Sequence, residues 1–133
     1  MDLYGEIILD HFKHPRHSGE MESPNLQAED ANTVCGDSVK IFLKADNDGL
    51  ITDFSFVGDG CAISVASTSL LGEKIIGRKL AAVLDMKQED VLELLGVPIS
   101  PGRIKCALLG YSCLKKAARL YQSKTNADAP QKN

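Results

Sequence analysis

The stretch VKIFLKADNDGLITDFSFV, residues 39–57, decides the fold of this 133-residue chain. Apolar side chains occur at every second position of residues 39–44, which is the period of a β-strand. The sequence Asp-Asn-Asp-Gly at 46–49 is a strong turn signal. Residues 51–57, rich in Ile, Phe and Val, predict a second strand. The stretch therefore predicts a β-hairpin.

The segments on either side of the hairpin complete an α+β pattern. A third strand is predicted at 26–31, after a loop at 14–25 that is rich in Pro, Gly and polar residues. The spacing of apolar residues predicts the helices. They cover residues 3–13, a stretch from Ala62 to a stop at Gly77, 79–85, 88–95, and a last helix that begins at a Ser100 cap with Pro101 in first position and ends near Tyr121. We expect one domain over residues 1–133: a small antiparallel sheet of about three strands with helices packed on one face, and a polar, disordered tail from about residue 123.

Charge and composition exclude several classes of function. The formal net charge of −3, an aromatic content of 5% and the absence of Trp argue against nucleic-acid binding. No run of about 18 apolar residues is present, which argues against a membrane span. The first residues lack the basic and apolar regions of a secretory signal. We therefore expect a cytoplasmic chain in a reducing compartment, where its four cysteines bind metal or act in catalysis rather than form disulfides.

Three of the cysteines lie beside structure-breaking glycines or prolines. Cys35 opens the motif Cys-Gly-Asp, Cys61 follows Gly-Asp-Gly, and Cys106 comes soon after the turn-forming stretch at 98–102. If the fold brings them together, three thiolates and the Asp37 carboxylate suffice for a tetrahedral metal or cluster site. Cys61 and Cys106 are also predicted near helix N-termini, where the partial positive charge favours the thiolate.

The remaining candidate residues have two interpretations each. Cys113 lies seven positions beyond Cys106 on the same predicted helix, about 10 Å along its axis, so we expect a buried small hydrophobe rather than a ligand. Asp37 is either a ligand or a cap of its own turn. Lys105 is either a surface charge or a cation that stabilises the adjacent thiolate or pairs with Asp37. His11, on the apolar face of the first helix, is expected to pack or cap rather than to bind metal.

Four stretches of the sequence form a characteristic set of motifs. They are Y-x-x-x-I-x-D-H followed by P-R at 4–16, C-G-D at 35–37, F-x-G-x-G-C-A-I-S-x-A-S-x-S at 56–69 with Glu73 and Gly77, and P-x-R-I-K-C at 101–106. This set resembles the IscU/NifU-type family of iron–sulfur cluster assembly scaffolds. The resemblance spans residues 4–121, and the stretch at 56–69 is its most specific part.

The resemblance implies a function and a set of site residues. Cys35, Cys61 and Cys106 are expected to hold a nascent [2Fe–2S] cluster or a Zn or Fe ion, with Asp37 as the fourth, labile ligand. A cysteine desulfurase is expected to supply persulfide sulfur, and acceptor apoproteins are expected to receive the cluster. Within this scheme we expect Cys106 to accept the sulfur first, with Lys105 stabilising its thiolate.

The sequence departs from the IscU-type pattern at two places. IscU-type members usually carry His before the third cysteine, whereas this chain has Lys105, as in the similar SufU-type branch. The short spacing between Cys61 and Cys106 nevertheless resembles the IscU type, because SufU-type members usually carry an insertion there. Residues 99–103, Ile-Ser-Pro-Gly-Arg, stand where IscU-type members carry the chaperone-binding motif Leu-Pro-Pro-Val-Lys. We therefore do not expect a dedicated chaperone interaction.

Two further functions stay open beside the cluster scaffold. The chain is an enzyme if it acts as a zinc-dependent sulfurtransferase of the SufU type, which relays persulfide sulfur from the desulfurase. It is a structural zinc module if removal of zinc melts the fold and the desulfurase is indifferent to the protein.

Overall fold

The computed structural model describes residues 5–33 and 36–128, with the backbone alone for residues 123–128. One helix is followed by three strands, and all later elements are helices. The elements are α1 (Gly5–Lys13), β1 (Leu26–Asn32), β2 (Asp37–Ala45), β3 (Ile51–Asp59), α2 (Ala62–Ile75), α3 (Leu80–Asp85), α4 (Gln88–Leu94), a 3₁₀ turn (Pro101–Arg103), α5 (Ile104–Ala107) and α6 (Leu109–Asp128). The predicted α+β class is confirmed.

The three strands form one antiparallel sheet in the order β1-β2-β3. Ile41, in the central strand, lies between Ala28 of β1 and Phe56 of β3. The hairpin turn forms as predicted, because the Asp46 carboxylate accepts hydrogen bonds from the backbone N–H groups of Asp48 and Leu50, both at 2.9 Å.

The core lies between one face of the sheet and the helices α2 and α6. Helix α6 packs on β1 and β2, and α2 packs on β3. The ring of Phe54 is fully buried against α2. It lies so close to Gly72 that any side chain at position 72 would overlap the ring. Burial of one such side chain stabilises the fold by roughly 1.5–3 kcal/mol. The predicted packing of helices on the sheet is therefore confirmed.

Helix α1 packs on α2 through a buried polar contact. The imidazole Nδ1 of His11 lies 2.7 Å from the hydroxyl of Ser69, and its Nε2 lies 3.5 Å from the Glu73 carboxylate. The Ser69 hydroxyl also accepts a hydrogen bond from the backbone N–H of Arg16 at 2.8 Å. Burial lowers the pKa of His11 below its ordinary value, so the neutral ring is favoured. The expectation that His11 packs against its neighbours is confirmed.

The last helix differs from the prediction at both ends. The Ser100 hydroxyl makes no capping hydrogen bond, and Pro101 opens a 3₁₀ turn instead of the helix. Helix α5 then ends at Ala107, because Leu108 leaves the helical region with φ −100° and ψ 0°. Helix α6 begins afresh and reaches Asp128, beyond the predicted end near residue 121 and into the segment predicted as a tail. Residues 129–133 lie outside the described part of the chain.

Helix α6 is the longest helix in the described part of the chain, at 20 residues. Its exposed face carries Lys116 and Arg119. Within residues 5–33 and 36–128, no helix combines the length and the apolar character that crossing a membrane requires.

Candidate metal centre

Three of the four predicted site residues come together in space. The carboxylate of Asp37 and the thiols of Cys61 and Cys106 offer ligand atoms that all lie within 4.8 Å of one another. Asp37 is the first residue of β2, Cys61 precedes α2, and Cys106 belongs to α5. The site therefore forms where a strand and two helices begin, from positions far apart in sequence.

Cys61 occupies the N-cap position of α2, in an extended conformation with φ −76° and ψ 170°. Its side chain makes no capping hydrogen bond to the helix, whereas its carbonyl accepts bonds from the backbone of Val65 and the hydroxyl of Ser64, both at 3.1 Å. The thiol is thus directed by a fixed backbone at the positive end of a 14-residue helix.

Asp37 is buried, and only 5% of its surface is exposed. Its Oδ2 atom has no hydrogen-bond partner within the described residues. A buried carboxylate oxygen without a partner is costly, and a bound cation relieves that cost. This unsatisfied oxygen next to two thiols is the observation that best fits a metal ion.

Gly60 makes the close approach of these groups possible. A Cβ atom at Gly60 would overlap the hydroxyl of Ser64 and would lie 3.2 Å from the carboxyl carbon of Asp37. A side chain at this position would therefore force the Ser64 hydroxyl to move and would crowd the Asp37 carboxylate. The sequence places a glycine before Cys61, but only the structure shows which neighbours require it.

The two described thiols differ in exposure. Cys61 is half-buried, whereas Cys106 is 1% exposed. Cys106 lies in a four-residue helix that follows the 3₁₀ turn, rather than in the first turn of a long helix as predicted. A reagent or partner protein that approaches this surface therefore meets Cys61 before Cys106.

The other predicted site residues fall in different places. Cys35 lies outside the described residues, and its part in the site stays a prediction. Lys105 is exposed, and no ion pair joins it to Asp37. Cys113 is fully buried, with its Sγ 3.3 Å from the carbonyl of Ala28, and burial raises its pKa to about 12. The predicted burial of Cys113 is confirmed.

Sequence reasoning missed the hydroxyl groups that support the site. Ser64 donates to the carbonyl of Cys61 and Thr68 donates to the carbonyl of Ser64. Ser67 donates to the carbonyl of Ala107, next to Cys106. The signal was present as a run of small polar residues, ISVASTS at 63–69, inside a stretch of helical periodicity. Small polar residues lower helix propensity, so their accumulation in one buried helix indicates a role in packing or bonding.

The donor set fits zinc or iron. Thiolates are soft ligands that select Zn²⁺ and iron–sulfur centres, and a carboxylate completes such sites as a harder ligand. Among the described residues Asp37, Cys61 and Cys106 supply three donors, and a fourth is required for a tetrahedral site. Cys35, two positions before Asp37, is the predicted source of that donor.

The fold and these residues define a small α+β domain with a candidate metal centre made of cysteine thiols and one carboxylate. The model of the NifU-like N terminal domain matches residues 3–128. The chain therefore belongs to the NifU-like N-terminal domain family of iron–sulfur cluster assembly scaffolds, as the motifs predicted.

Relatives of both branches of the family are similar to this chain. The zinc-dependent sulfurtransferase SufU of Bacillus subtilis (strain 168) is 33% identical over 131 residues, which cover 86% of this chain and 88% of that protein. The iron–sulfur cluster assembly scaffold protein IscU of Escherichia coli (strain K12) is 32% identical over 127 residues, which cover 93% and 98%. Nearly equal identity means that sequence similarity does not choose between the two activities.

A solved structure supports the same fold. The crystal structure of a putative iron–sulfur cluster assembly scaffold protein for the SUF system, from Fervidobacterium islandicum AW-1, superimposes with a TM-score of 0.74 at 30% identity. The match covers 86% of this chain and 96% of that chain. The three-stranded sheet with its helices is thus the fold of this family.

Proposed function

We propose that this protein is a scaffold on which a [2Fe–2S] cluster is built from iron and from sulfur supplied by a cysteine desulfurase, and then passed to apoproteins. Cys35, Asp37, Cys61 and Cys106 hold the cluster. The observation that carries the proposal is the convergence of a buried, unsatisfied carboxylate oxygen with two thiols.

In this proposal Asp37 keeps the cluster exchangeable. A carboxylate is a harder ligand than a thiolate and holds soft iron–sulfur chemistry less firmly. A site with three thiolates and one carboxylate therefore releases its cargo more readily than a site with four thiolates. This property suits a protein that must pass the cluster on.

Sulfur enters by thiol–persulfide exchange. A thiolate of the scaffold attacks the outer sulfur of the desulfurase persulfide, a new S–S bond forms, and the desulfurase cysteine leaves as a thiolate. Reduction of each transferred sulfur to sulfide then takes two electrons from an external low-potential donor. We assign first acceptance to Cys106, with Lys105 stabilising its thiolate. Because Cys106 is 1% exposed, this step requires the segment around α5 to move outward.

A zinc-dependent sulfurtransferase is the second candidate. Its support is Lys105 in front of Cys106 and the 33% identity to the sulfurtransferase SufU. In that function the same cysteines and Asp37 would hold zinc, which would keep the sulfur atoms ready for persulfide transfer, and no cluster would form. Stimulation of a desulfurase in the complete absence of iron favours this candidate.

The test is an anaerobic visible absorption experiment. The protein is incubated with a cysteine desulfurase, L-cysteine and ferrous iron, beside the variants Cys106→Ser and Cys113→Ser. Cys113→Ser is the matched control, because its hydroxyl can still donate to the carbonyl of Ala28 outside the site. Charge-transfer bands in the unmodified protein and in Cys113→Ser, but not in Cys106→Ser, support the scaffold.

The opposite results are equally informative. Absence of bands together with tightly held zinc and a faster desulfurase contradicts the scaffold and supports the sulfurtransferase. Absence of bands together with an unaffected desulfurase, and a fold that melts when zinc is removed, supports a structural zinc module.

A further inference from the structure

We propose that Ser67 is a positioning residue of the metal centre, which holds Cys106 at ligand distance from Cys61. The Ser67 hydroxyl donates a hydrogen bond of 2.6 Å to the carbonyl oxygen of Ala107, across 40 positions of sequence. Ala107 directly follows Cys106. The bond therefore joins the helix that Cys61 begins to the segment that carries Cys106.

Helix α2 acts as the rigid part of this arrangement. Cys61 caps the N-terminus of α2, and Ser67 lies six residues further along, roughly 9 Å along the helix axis at about 1.5 Å per residue. Both residues move with α2 as one body. A bond from Ser67 to the residue after Cys106 thus fixes the second thiol relative to the first.

The segment that carries Cys106 needs an external attachment. Helix α5 has four residues and ends at Ala107, because Leu108 leaves the helical conformation. A helix of this length is not stable alone, and its last carbonyls lack donors from its own helix. Ser67 supplies a donor to one of those carbonyls.

The hydrogen bond is protected from water. Ser67 is 1% exposed and Ala107 is fully buried, in a cluster that includes Ile63 and Ala66 of α2. A hydrogen bond in such surroundings is not replaced by a bond to water when one partner is removed. Loss of the hydroxyl leaves the Ala107 carbonyl buried without this donor, and the Cys106 segment is then expected to shift.

The same helix offers a matched control. Ser69 is also a buried serine of α2, two positions away, but it binds His11 and the backbone of Arg16 on the side of α1. Ser69→Ala removes two hydrogen bonds that have no connection to the Cys106 segment. Any loss of metal binding that arises only from a weaker fold should therefore occur in Ser69→Ala at least as strongly as in Ser67→Ala.

Cobalt(II) titration of the metal-free protein tests the proposal, which rests on the proposed metal centre. Cobalt bound by thiolates shows thiolate-to-cobalt charge-transfer absorption, which indicates whether the cysteines are ligands. Urea unfolding of each variant is measured in parallel. We expect Ser67→Ala to bind cobalt about 10- to 100-fold more weakly, with weaker charge transfer per bound ion, which is the range observed when groups that orient metal ligands are removed. Ser69→Ala should keep the affinity and spectrum of the unmodified protein.

Each other outcome overturns the proposal in a distinguishable way. If the unmodified protein binds no cobalt, the proposed metal centre is refuted, and the proposed function is refuted with it. Unchanged binding in Ser67→Ala, beside normal binding in the unmodified protein, refutes the positioning role alone. If both variants lose cobalt affinity equally, or if Ser67→Ala does not fold, the Ser67 hydroxyl contributes to the general stability of the fold and not to the position of Cys106.

Discussion

Replacement of Asp37 by alanine should stabilise the metal-free protein, although Asp37 is a buried residue of the central strand. Its Oδ2 atom is buried without a hydrogen-bond partner among the described residues, and its exposed fraction is 5%. A buried polar group in this condition costs about 1–3 kcal/mol, and a charged group costs more. We therefore expect Asp37→Ala to raise the free energy of unfolding of the metal-free protein by about 1–3 kcal/mol.

Metal should oppose this gain in stability. A metal that binds only the folded state stabilises it by about 2.7 kcal/mol at a concentration 100 times its dissociation constant. Each tenfold loss of affinity in Asp37→Ala removes about 1.4 kcal/mol of that stabilisation. Zinc should consequently reduce or abolish the advantage that the variant has without metal.

Urea unfolding of metal-free and zinc-loaded protein measures both effects. Asp30→Ala is the control, because the Asp30 carboxylate is hydrogen-bonded to the Ser112 hydroxyl at 2.9 Å and its removal should not stabilise the fold. If metal-free Asp37→Ala is less stable than the unmodified protein, the carboxylate has a structural partner and the reasoning is refuted. In cluster assembly, the same variant should hold its cluster longer against a chelator, since the labile ligand is gone.

Three further predictions follow from the site and its surroundings. Gly60→Ala should weaken zinc binding by about tenfold or more, because its Cβ would overlap the Ser64 hydroxyl and crowd the Asp37 carboxylate. Equilibrium titration measures this effect, and unchanged affinity would mean that the site accommodates the added methyl group and would contradict the prediction. Cys113→Ser should leave the yield of cluster unchanged and lower the free energy of unfolding by about 1 kcal/mol, and a loss of cluster would place Cys113 in the site. Stability should decrease as the pH falls below about 6.5, because the pKa of folded His11 is lowered by burial and the unfolded chain then binds the proton more readily. Urea unfolding between pH 7 and pH 5 measures how the free energy of unfolding changes with pH. This dependence should be weaker in His11→Gln. An equal dependence in the variant would mean that other titratable groups cause it.

The sequence predicted the sheet and most helices well because each signal was local. The alternation of residues 39–44, the turn at 46–49 and Gly77 after α2 all depend on neighbours in the chain, and the strands and α2 form there. The break at Leu108 was missed because the apolar period of the last helix continues through it. Nothing local marks the break, and the 2.6 Å bond from Ser67 to the neighbouring Ala107 carbonyl comes from a distant helix.

The site was predicted as a set of residues, but its internal differences were not. Glycine and proline beside Cys61 and Cys106 suggested that the chain approaches a ligand closely, and the geometry gathers both thiols with Asp37. The burial of the two thiols could not be predicted from these neighbouring glycine and proline residues. The contrast between half-buried Cys61 and buried Cys106 depends on how α5 packs on α2, which no sequence period encodes.

For the proposed scaffold function, the different positions of Cys61 and Cys106 in the fold would allow one site both to hold a cluster and to release it. Cys61 is fixed at the start of a 14-residue helix whose side chains reach the core, so its displacement would disturb the whole fold. Cys106 is mounted on a four-residue helix between a 3₁₀ turn and a break, and a segment so short depends on its contacts with α2 for order. Displacement of Cys106 would first affect the contacts of this short segment with the 3₁₀ turn, α2 and α6. The asymmetry therefore concentrates movement in one ligand, which is the arrangement that the transfer of sulfur or of a cluster requires.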